Sequence, residues 1–214
     1  MQSIVPSSRI ECYAATKPQQ GKASNEDAFL IGHGQIPCAV LCDGAGNAQQ
    51  AAKRVLSLFE KFLTEATVEQ VLDHAAWRKW VKLLDSSLLG GNQSTFLAVA
   101  IMNGAAVGAC TGDSRAYLLN REGELRILSD GASKFRLGSG KAEAFPIHQQ
   151  LSPGEILLLM SDGAWTPLGM YPLKKAVQST MGRHFSEVPQ AILEAAGKTG
   201  RADDMTVVAL RLAR

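Results

Sequence analysis

The chain has 214 residues, of which 46% are hydrophobic and 20% are charged, and its net charge is +2 at neutral pH. This near-balance of acids and bases excludes electrostatic attraction to nucleic acid or to an anionic membrane as the basis of function. No apolar run reaches the roughly 18–20 residues that a membrane-spanning helix needs. The composition therefore predicts one compact domain over residues 1–214, with no nucleic-acid or membrane partner.

The N-terminus and the cysteines predict the compartment. The starting sequence M-Q-S-I-V-P-S-S-R lacks the basic and apolar regions of a signal peptide. The cysteines at positions 12, 38, 42 and 110 lie in apolar runs and form no C-x-x-C pair. Reduced, buried thiols are therefore favoured over disulfides or a zinc site, and we expect a cytoplasmic protein.

Strand and helix patterns alternate in the first half of the chain. Short strands are predicted at 10–16, 27–32 and 38–42. Apolar residues at three- and four-residue spacing predict an amphipathic helix over 51–66. A second helix is predicted over 67–89, beginning at a capping box formed by Thr67 and Gln70.

The second half begins with short strands separated by tight turns, which predicts antiparallel pairing. These strands are predicted at 94–102, 105–110, 115–119 and 125–128, with a hairpin turn at Asn103-Gly104. Residues 131–150 hold glycines, lysines and few apolar clusters, and we interpret them as a surface excursion over the core. The remaining predictions are a buried strand at 155–161, weaker helices at 172–181 and 187–196, and a closing strand at 205–212.

Acidic residues recur at the ends of the predicted strands. They stand in four clusters: Glu26-Asp27, Asp43-Gly44, Asp162-Gly163 and Asp203-Asp204. A single Asp-Gly after a strand is most often a structural turn, and that alternative stays open for each cluster. Carboxylates that converged in one place would repel each other unless a cation neutralised them. Because Mg²⁺ and Mn²⁺ prefer carboxylate and carbonyl oxygens, the recurrence indicates a divalent-metal site.

Six short motifs occur in a characteristic order between residues 21 and 210. They are K-A-S-N-E-D (22–27), V-L-C-D-G-A-G (40–46), S-T-F-L-A-V (94–99), T-G-D-S-R-A-Y-L (111–118), L-L-M-S-D-G-A-W (158–165) and A-D-D-M-T-V-V (202–208). Each motif alone is weak, but six in this order are highly specific. The chain resembles the metal-dependent protein phosphatases of the 2C type (PP2C), as a compact, bacterial-like member.

The resemblance implies an α+β fold, a four-layer α-β-β-α sandwich with two central antiparallel sheets. It also implies a centre of two Mn²⁺ or Mg²⁺ ions, with a third ion weakly bound. The ligands it implies are Asp43 bridging both ions, the Gly44 carbonyl, Asp162, Asp203, Glu26 acting commonly through water, and Asp113 at the third ion. Asp27 and Asp204 are implied to support these ligands. For Asp113 the role of an ordinary turn acid stays open.

The implied reaction needs no protein nucleophile. Two cations activate a shared water, and the resulting hydroxide attacks the phosphorus of phosphoserine or phosphothreonine in line. The partner would be a phosphorylated protein, the product of a serine/threonine kinase, and we expect a monomer. Two alternatives remain: a weak or inactive relative that binds phosphoproteins as a regulatory module, and a hydrolase of small phosphate esters.

The sequence departs from the family pattern at three positions. Lys22 stands where relatives usually have the arginine that binds phosphate; lysine keeps the charge but loses the bidentate fork, and a solvated loop lysine is the alternative. Asn47 replaces a glycine, with a small expected effect because asparagine tolerates left-handed backbone. Ala45 stands where some relatives carry a histidine as proton donor. Trp165 is a candidate to line the cleft, with core packing as the alternative.

Overall fold

The structure, a computed structural model, describes residues 10–45, 49–180, 184–200 and 203–213. Asn47 lies outside the described residues, so its predicted effect on the backbone stays a prediction. None of the helices within the described ranges is long and apolar enough to cross a membrane. The cysteines are free thiols; those at 38, 42 and 110 are buried as predicted, whereas Cys12 is only partly buried.

The strands form two antiparallel sheets. Their bounds are β1 Ile10–Lys17, β2 Asp27–Gly32, β3 Cys38–Ala45, β4 Gln93–Ser94, β5 Phe96–Met102, β6 Ala105–Thr111, β7 Arg115–Leu119, β8 Leu125–Ile127, β9 Phe145–Gln150, β10 Ile156–Met160 and β11 Met205–Leu212. The five-stranded sheet has the order β1-β11-β10-β7-β8. The six-stranded sheet has the order β2-β3-β5-β6-β9, with the short strand β4 paired to β3.

The helices form two groups along the chain, one between β3 and β4 and the other between β10 and β11. Their bounds are α1 Gln49–Glu65, α2 Val68–Leu72, α3 His74–Ser87, α4 Asp162–Trp165, α5 Met170–Gln178 and α6 Val188–Gly197. The capping box of Thr67 and Gln70 is present at the start of α2. The prediction of a single helix over 67–89 is wrong, because Asp73 divides it. Its extended backbone ends α2, and its side chain accepts a hydrogen bond from Ala75 N–H to cap α3.

Three apolar layers hold these elements together as a four-layer sandwich. One layer lies between the six-stranded sheet and helices α1 and α3, and it contains Phe59, Trp77 and Trp80. A second layer lies between the five-stranded sheet and helices α5 and α6. The third is formed by residues of both sheets, such as Leu41 and Leu159, and lies between them. The predicted α-β-β-α fold with two antiparallel sheets is confirmed.

The segment 131–150 is not a surface excursion throughout, and that prediction is corrected. Leu137 is fully buried and pairs with Ser94 through two backbone hydrogen bonds of 2.8 and 3.2 Å. The end of the segment is β9, which pairs with β6 and closes one edge of the six-stranded sheet. An edge strand buries only part of one face, so its apolar pattern is weak in the sequence.

Candidate functional site

The strand pair β2–β3 places two carboxyl groups side by side. Asp27 and Asp43 stand directly opposite each other in the antiparallel register. Such cross-strand neighbours project from the same face of a sheet. Both residues are more than nine-tenths buried, at 7% and 8% exposure. Like charges so close together and away from water repel strongly, so this pair needs a neutralising partner.

The five-stranded sheet delivers a third acid to the same place. After β10 the chain continues into Ser161, whose N–H donates to the Thr206 carbonyl at 3.0 Å. The Ser161 hydroxyl donates to Asp27 Oδ2 at 2.8 Å, which ties the ends of the two sheets together. Asp162 follows as the first residue of α4. The sheets therefore meet at the point where their acids are predicted to converge.

Gly163 brings Asp162 close to the fourth acidic cluster. A Cβ atom at Gly163 would lie 2.1 Å from the Asp204 carbonyl oxygen and 2.9 Å from the Asp203 Cβ. No larger residue fits this contact without moving the backbone. The Asp-Gly pair thus has a packing reason: it lets the start of α4 lie against Asp203-Asp204.

Asp204 fixes the backbone of the loop that carries Glu26. Its two carboxylate oxygens accept hydrogen bonds from Gln19 N–H at 2.6 Å and Glu26 N–H at 2.7 Å. Gly44 N–H in turn donates to the Glu26 carbonyl at 3.2 Å. Lys22 forms an ion pair of 3.8 Å with Glu26, and its side chain is 39% exposed.

The acids interact electrostatically. Burial raises the pKa of Asp43 above its usual range, and the charges of Asp27, Asp162 and Asp113 raise it further, while Arg136 opposes the shift. Burial also raises the pKa of Asp27, with Asp204 and Asp162 adding to the effect and the hydrogen bond from Ser161 opposing it. Acids that are distant in the sequence are therefore close enough to shift each other's ionisation.

Arg136 lies between two of these acids, and no sequence pattern in the segment 131–150 indicates a role for it. Its Nη2 atom is 3.0 Å from both carboxylate oxygens of Asp113. Its Nη1 atom is 3.6 Å from Asp43 Oδ1. The side chain is only 19% exposed. A guanidinium so placed offsets part of the charge of the acid cluster.

Asp113 and Trp165 border a cavity beside the acids. The Trp165 indole N–H donates to the Asp113 carbonyl at 3.0 Å, and the Arg115 guanidinium lies 3.8 Å from the centre of the Trp165 ring. The cavity has a volume of about 440 Å³. Asp162 and Thr166 also contribute to its wall. Trp165 lines this cavity and also packs against the second apolar layer, so its role in a substrate cleft stays a prediction.

Thr95 fixes the backbone of Asp43, a role that the sequence analysis does not predict. Its hydroxyl accepts from Asp43 N–H at 2.9 Å, and its own N–H donates to the Asp43 carbonyl at 2.8 Å. The hydroxyl also shares a hydrogen bond of 2.8 Å with Ser114. A threonine between two strands is too common to single out without the fold.

The donors at this site fit a hard divalent cation. They are carboxylate and backbone oxygens, and Asp27 Oδ1 is buried without a hydrogen-bond partner in the described part of the chain. Among the described residues, no three His, Cys, Asp or Glu side chains already stand in a metal-ligand arrangement.

Comparisons with solved structures identify the same fold. The catalytic domain of the serine/threonine protein phosphatase PstP, in complex with two manganese ions, is 21% identical over 96% of this chain and 99% of that chain, with a TM-score of 0.79. The PstP/Ppp phosphatase of Mycobacterium tuberculosis is 22% identical over 96% and 99% of the two chains, with a TM-score of 0.75. The serine/threonine phosphatase of S. agalactiae is 17% identical over 95% and 100%, with a TM-score of 0.81.

Sequence comparison extends this likeness to a family. No curated protein sequence matches the chain significantly. The family model described as Stage II sporulation protein E (SpoIIE) matches residues 37–213. The match spans every element from β3 to β11, and its range includes Asp43, Asp162 and Asp203. The chain therefore belongs to the SpoIIE family, a PP2C-like family of the metal-dependent phosphatase fold.

Proposed function

We propose that the chain is a metal-dependent phosphoprotein phosphatase that hydrolyses phosphoserine and phosphothreonine. The observation that carries the proposal is the meeting of acids from both sheets, in which Asp43 is buried beside Asp27 and feels the charges of Asp162 and Asp113. The two manganese ions in the PstP structure support the same chemistry. The substrate would be a protein phosphorylated by a serine/threonine kinase.

The proposed centre holds two Mn²⁺ or Mg²⁺ ions. Its ligands would be Asp43, the Gly44 carbonyl, Asp162 and Asp203, with Glu26 acting through water. When bound, the cations supply the Lewis acidity that activates water and offsets charge on a phosphoryl group. A third ion at Asp113 would have to compete with Arg136, which already holds both oxygens of that carboxylate.

Other residues of the site position these donors, and the neighbouring cysteine is not suited to act as a nucleophile. Thr95 holds the backbone of Asp43, and Asp204 holds that of Glu26. Cys42 adjoins Asp43, but burial raises the pKa of its thiol far above neutrality, so it is not a nucleophile. In the proposed reaction, water activated by the bound cations would be the attacking group. With Ala45 at the end of β3, the proton for the leaving serine or threonine oxygen would come from water or from another group.

The direct test is release of phosphate from a phosphoserine or phosphothreonine peptide with Mn²⁺, compared with the same reaction containing a chelator. We expect Mn²⁺-dependent release that Asp43→Asn reduces by at least about 100-fold while the protein stays folded. Failure of the wild-type protein with any divalent metal would favour the non-catalytic regulatory module. A strong preference for p-nitrophenyl phosphate over the peptides would favour a hydrolase of small esters.

A further inference from the structure

Arg136 is held in place from both sides of its position in the chain. Before it, the Phe135 carbonyl accepts a hydrogen bond of 2.7 Å from the Thr111 hydroxyl. After it, Leu137 forms its two backbone hydrogen bonds with Ser94. Because strand β6 and the β4 segment anchor these neighbours, Arg136 enters the acid cluster from a fixed backbone.

A second anchor comes from helix α3. The buried carboxylate of Asp85 accepts hydrogen bonds from Gly138 N–H at 2.7 Å and Gly140 N–H at 3.2 Å. These two hydrogen bonds join residues that are 53 and 55 positions apart in the sequence. The segment that carries Arg136 is therefore anchored to the core at Leu137, Gly138 and Gly140, although Phe135 beside it is exposed.

The guanidinium retains donors that the protein does not use. Nη2 is bonded to Asp113, and Nη1 lies 3.6 Å from Asp43, beyond hydrogen-bond distance. Within the described residues, neither Nε nor Nη1 of Arg136 donates a hydrogen bond. An arginine held through one nitrogen can present its other donors to an oxyanion such as phosphate.

A phosphate needs such a donor here, because the surrounding carboxylates repel it. Lys22 is a poor candidate: it is more exposed than Arg136, at 39% against 19%, and its ammonium pairs with Glu26. A lysine also cannot make two parallel hydrogen bonds to one phosphate.

We propose that Arg136 binds the phosphoryl group of the substrate through the donors that Asp113 leaves unused. The inference rests on the proposed phosphatase function, since it assigns the substrate contact at the same site. Asp113 is then the positioning residue for Arg136, because both oxygens of its carboxylate hold the Nη2 atom of the guanidinium.

The test measures binding of inorganic phosphate to the Mn²⁺-loaded protein by calorimetry, together with KM and kcat on a phosphopeptide. Arg136→Gln should weaken phosphate binding by about tenfold or more and raise KM to a similar extent. The phosphate affinity of Arg136→Lys should lie between those of the wild type and Arg136→Gln, because lysine keeps the charge but has only one nitrogen donor. Arg126→Gln is the matched control: it removes an exposed arginine that contacts Gln149, and it should leave phosphate binding unchanged.

A Mn²⁺ titration separates a binding role from a structural one. Arg136→Gln should bind Mn²⁺ at least as tightly as the wild type, because a cation 3.6 Å from Asp43 has been removed. Loss of Mn²⁺ binding would mean that Arg136 is structural, which overturns the assignment. If Arg136→Gln does not fold, Arg136→Lys decides, and phosphate affinity within twofold of the wild type overturns the proposal.

Two further results bear on the assignment. Lys22→Gln should weaken phosphate binding less than Arg136→Gln does, and an equal or larger loss would move the role to Lys22. Phosphate binding does not require turnover. A wild-type protein that binds phosphate through Arg136 but cleaves no phosphopeptide would therefore refute the phosphatase and not this assignment, whereas a wild type that binds no phosphate overturns it.

Discussion

The fold alone does not stabilise a negative charge on Asp43. Its raised pKa means that the ionised form is less stable in the folded, metal-free protein than in the unfolded chain. Asp43→Asn should therefore raise the free energy of unfolding of the metal-free protein at pH 7 by at least about 1 kcal/mol. Urea unfolding with a chelator measures this change, and a destabilised variant would show that the ion pair with Arg136 outweighs the burial.

Position 163 requires a glycine because the Asp204 backbone lies too close for a side chain, and not because of an unusual backbone conformation. Gly163→Ala places a methyl group 2.1 Å from the Asp204 carbonyl oxygen, so the chain must move where Asp162 meets Asp203. We expect a loss of about 1–3 kcal/mol in the free energy of unfolding, together with weaker Mn²⁺ binding. Denaturant unfolding and calorimetry check the two effects.

Gly197→Ala is the matched control for that substitution. A Cβ at Gly197 would meet only the Lys17 Nζ, at 3.9 Å, near the end of α6. Stability should stay the same or rise by up to about 1 kcal/mol, because alanine is the better helix former. Equal losses in both variants would remove the packing explanation for the Asp162-Gly163 pair.

At the scale of elements, helix α3 acts on the site through Asp85. Asp85→Asn leaves one acceptor oxygen but removes the charge that holds Gly138 and Gly140. We expect a loss of about 1–3 kcal/mol in stability and weaker phosphate binding, since Arg136 depends on this segment. Asp73→Asn on the same helix is the control, because Asn caps a helix as well as Asp does; its phosphate affinity should not change.

The elements differ in how well the sequence predicts them. The closing strand was predicted at the observed bounds of β11, since its strong β-formers follow a clear acidic start. The apolar spacing over 67–89 continues through Asp73 and therefore predicts a single helix. The hydrogen bonds by which Asp73 divides this helix depend on local geometry that the spacing does not show. The role of 131–150 could not be predicted, because its contacts with Ser94 and Asp85 join residues far apart in the chain.

The same limit applies to the site. The acids could be predicted to converge because each stands next to one end of a predicted strand, beside a glycine or a second acid. Arg136 could not be, since one arginine among glycines and lysines has no local signature of a binding role. The supporting hydroxyls of Thr95 and Ser161 are likewise visible only when strands from both sheets are brought together.

At the scale of the whole molecule, stability should depend on pH in a way that bound metal removes. The folded-state pKa values of Asp27 and Asp43 are raised, so their stabilising contribution is complete below the ordinary carboxyl pKa near 4. It is lost as the pH rises through the raised values. The metal-free protein should therefore be less stable at pH 8 than at pH 5.5, in thermal unfolding at both pH values.

Saturating Mn²⁺ should reverse this trend, because ionised carboxylates bind the cation and protonated ones do not. The gain in stability should then be larger at pH 8 than at pH 5.5. A metal-free protein that is more stable at pH 8, with the same response to Mn²⁺ at both values, would contradict the charge distribution described for the two sheets.

The central claim is that acids from two sheets form one metal centre, and anomalous diffraction from crystals soaked in Mn²⁺ tests it most directly. The account predicts two manganese peaks that share the Asp43 carboxylate, with Asp162 and Asp203 as further ligands. Crystals that take up no manganese at Asp43, or that hold it only at sites away from both sheet ends, would contradict the account.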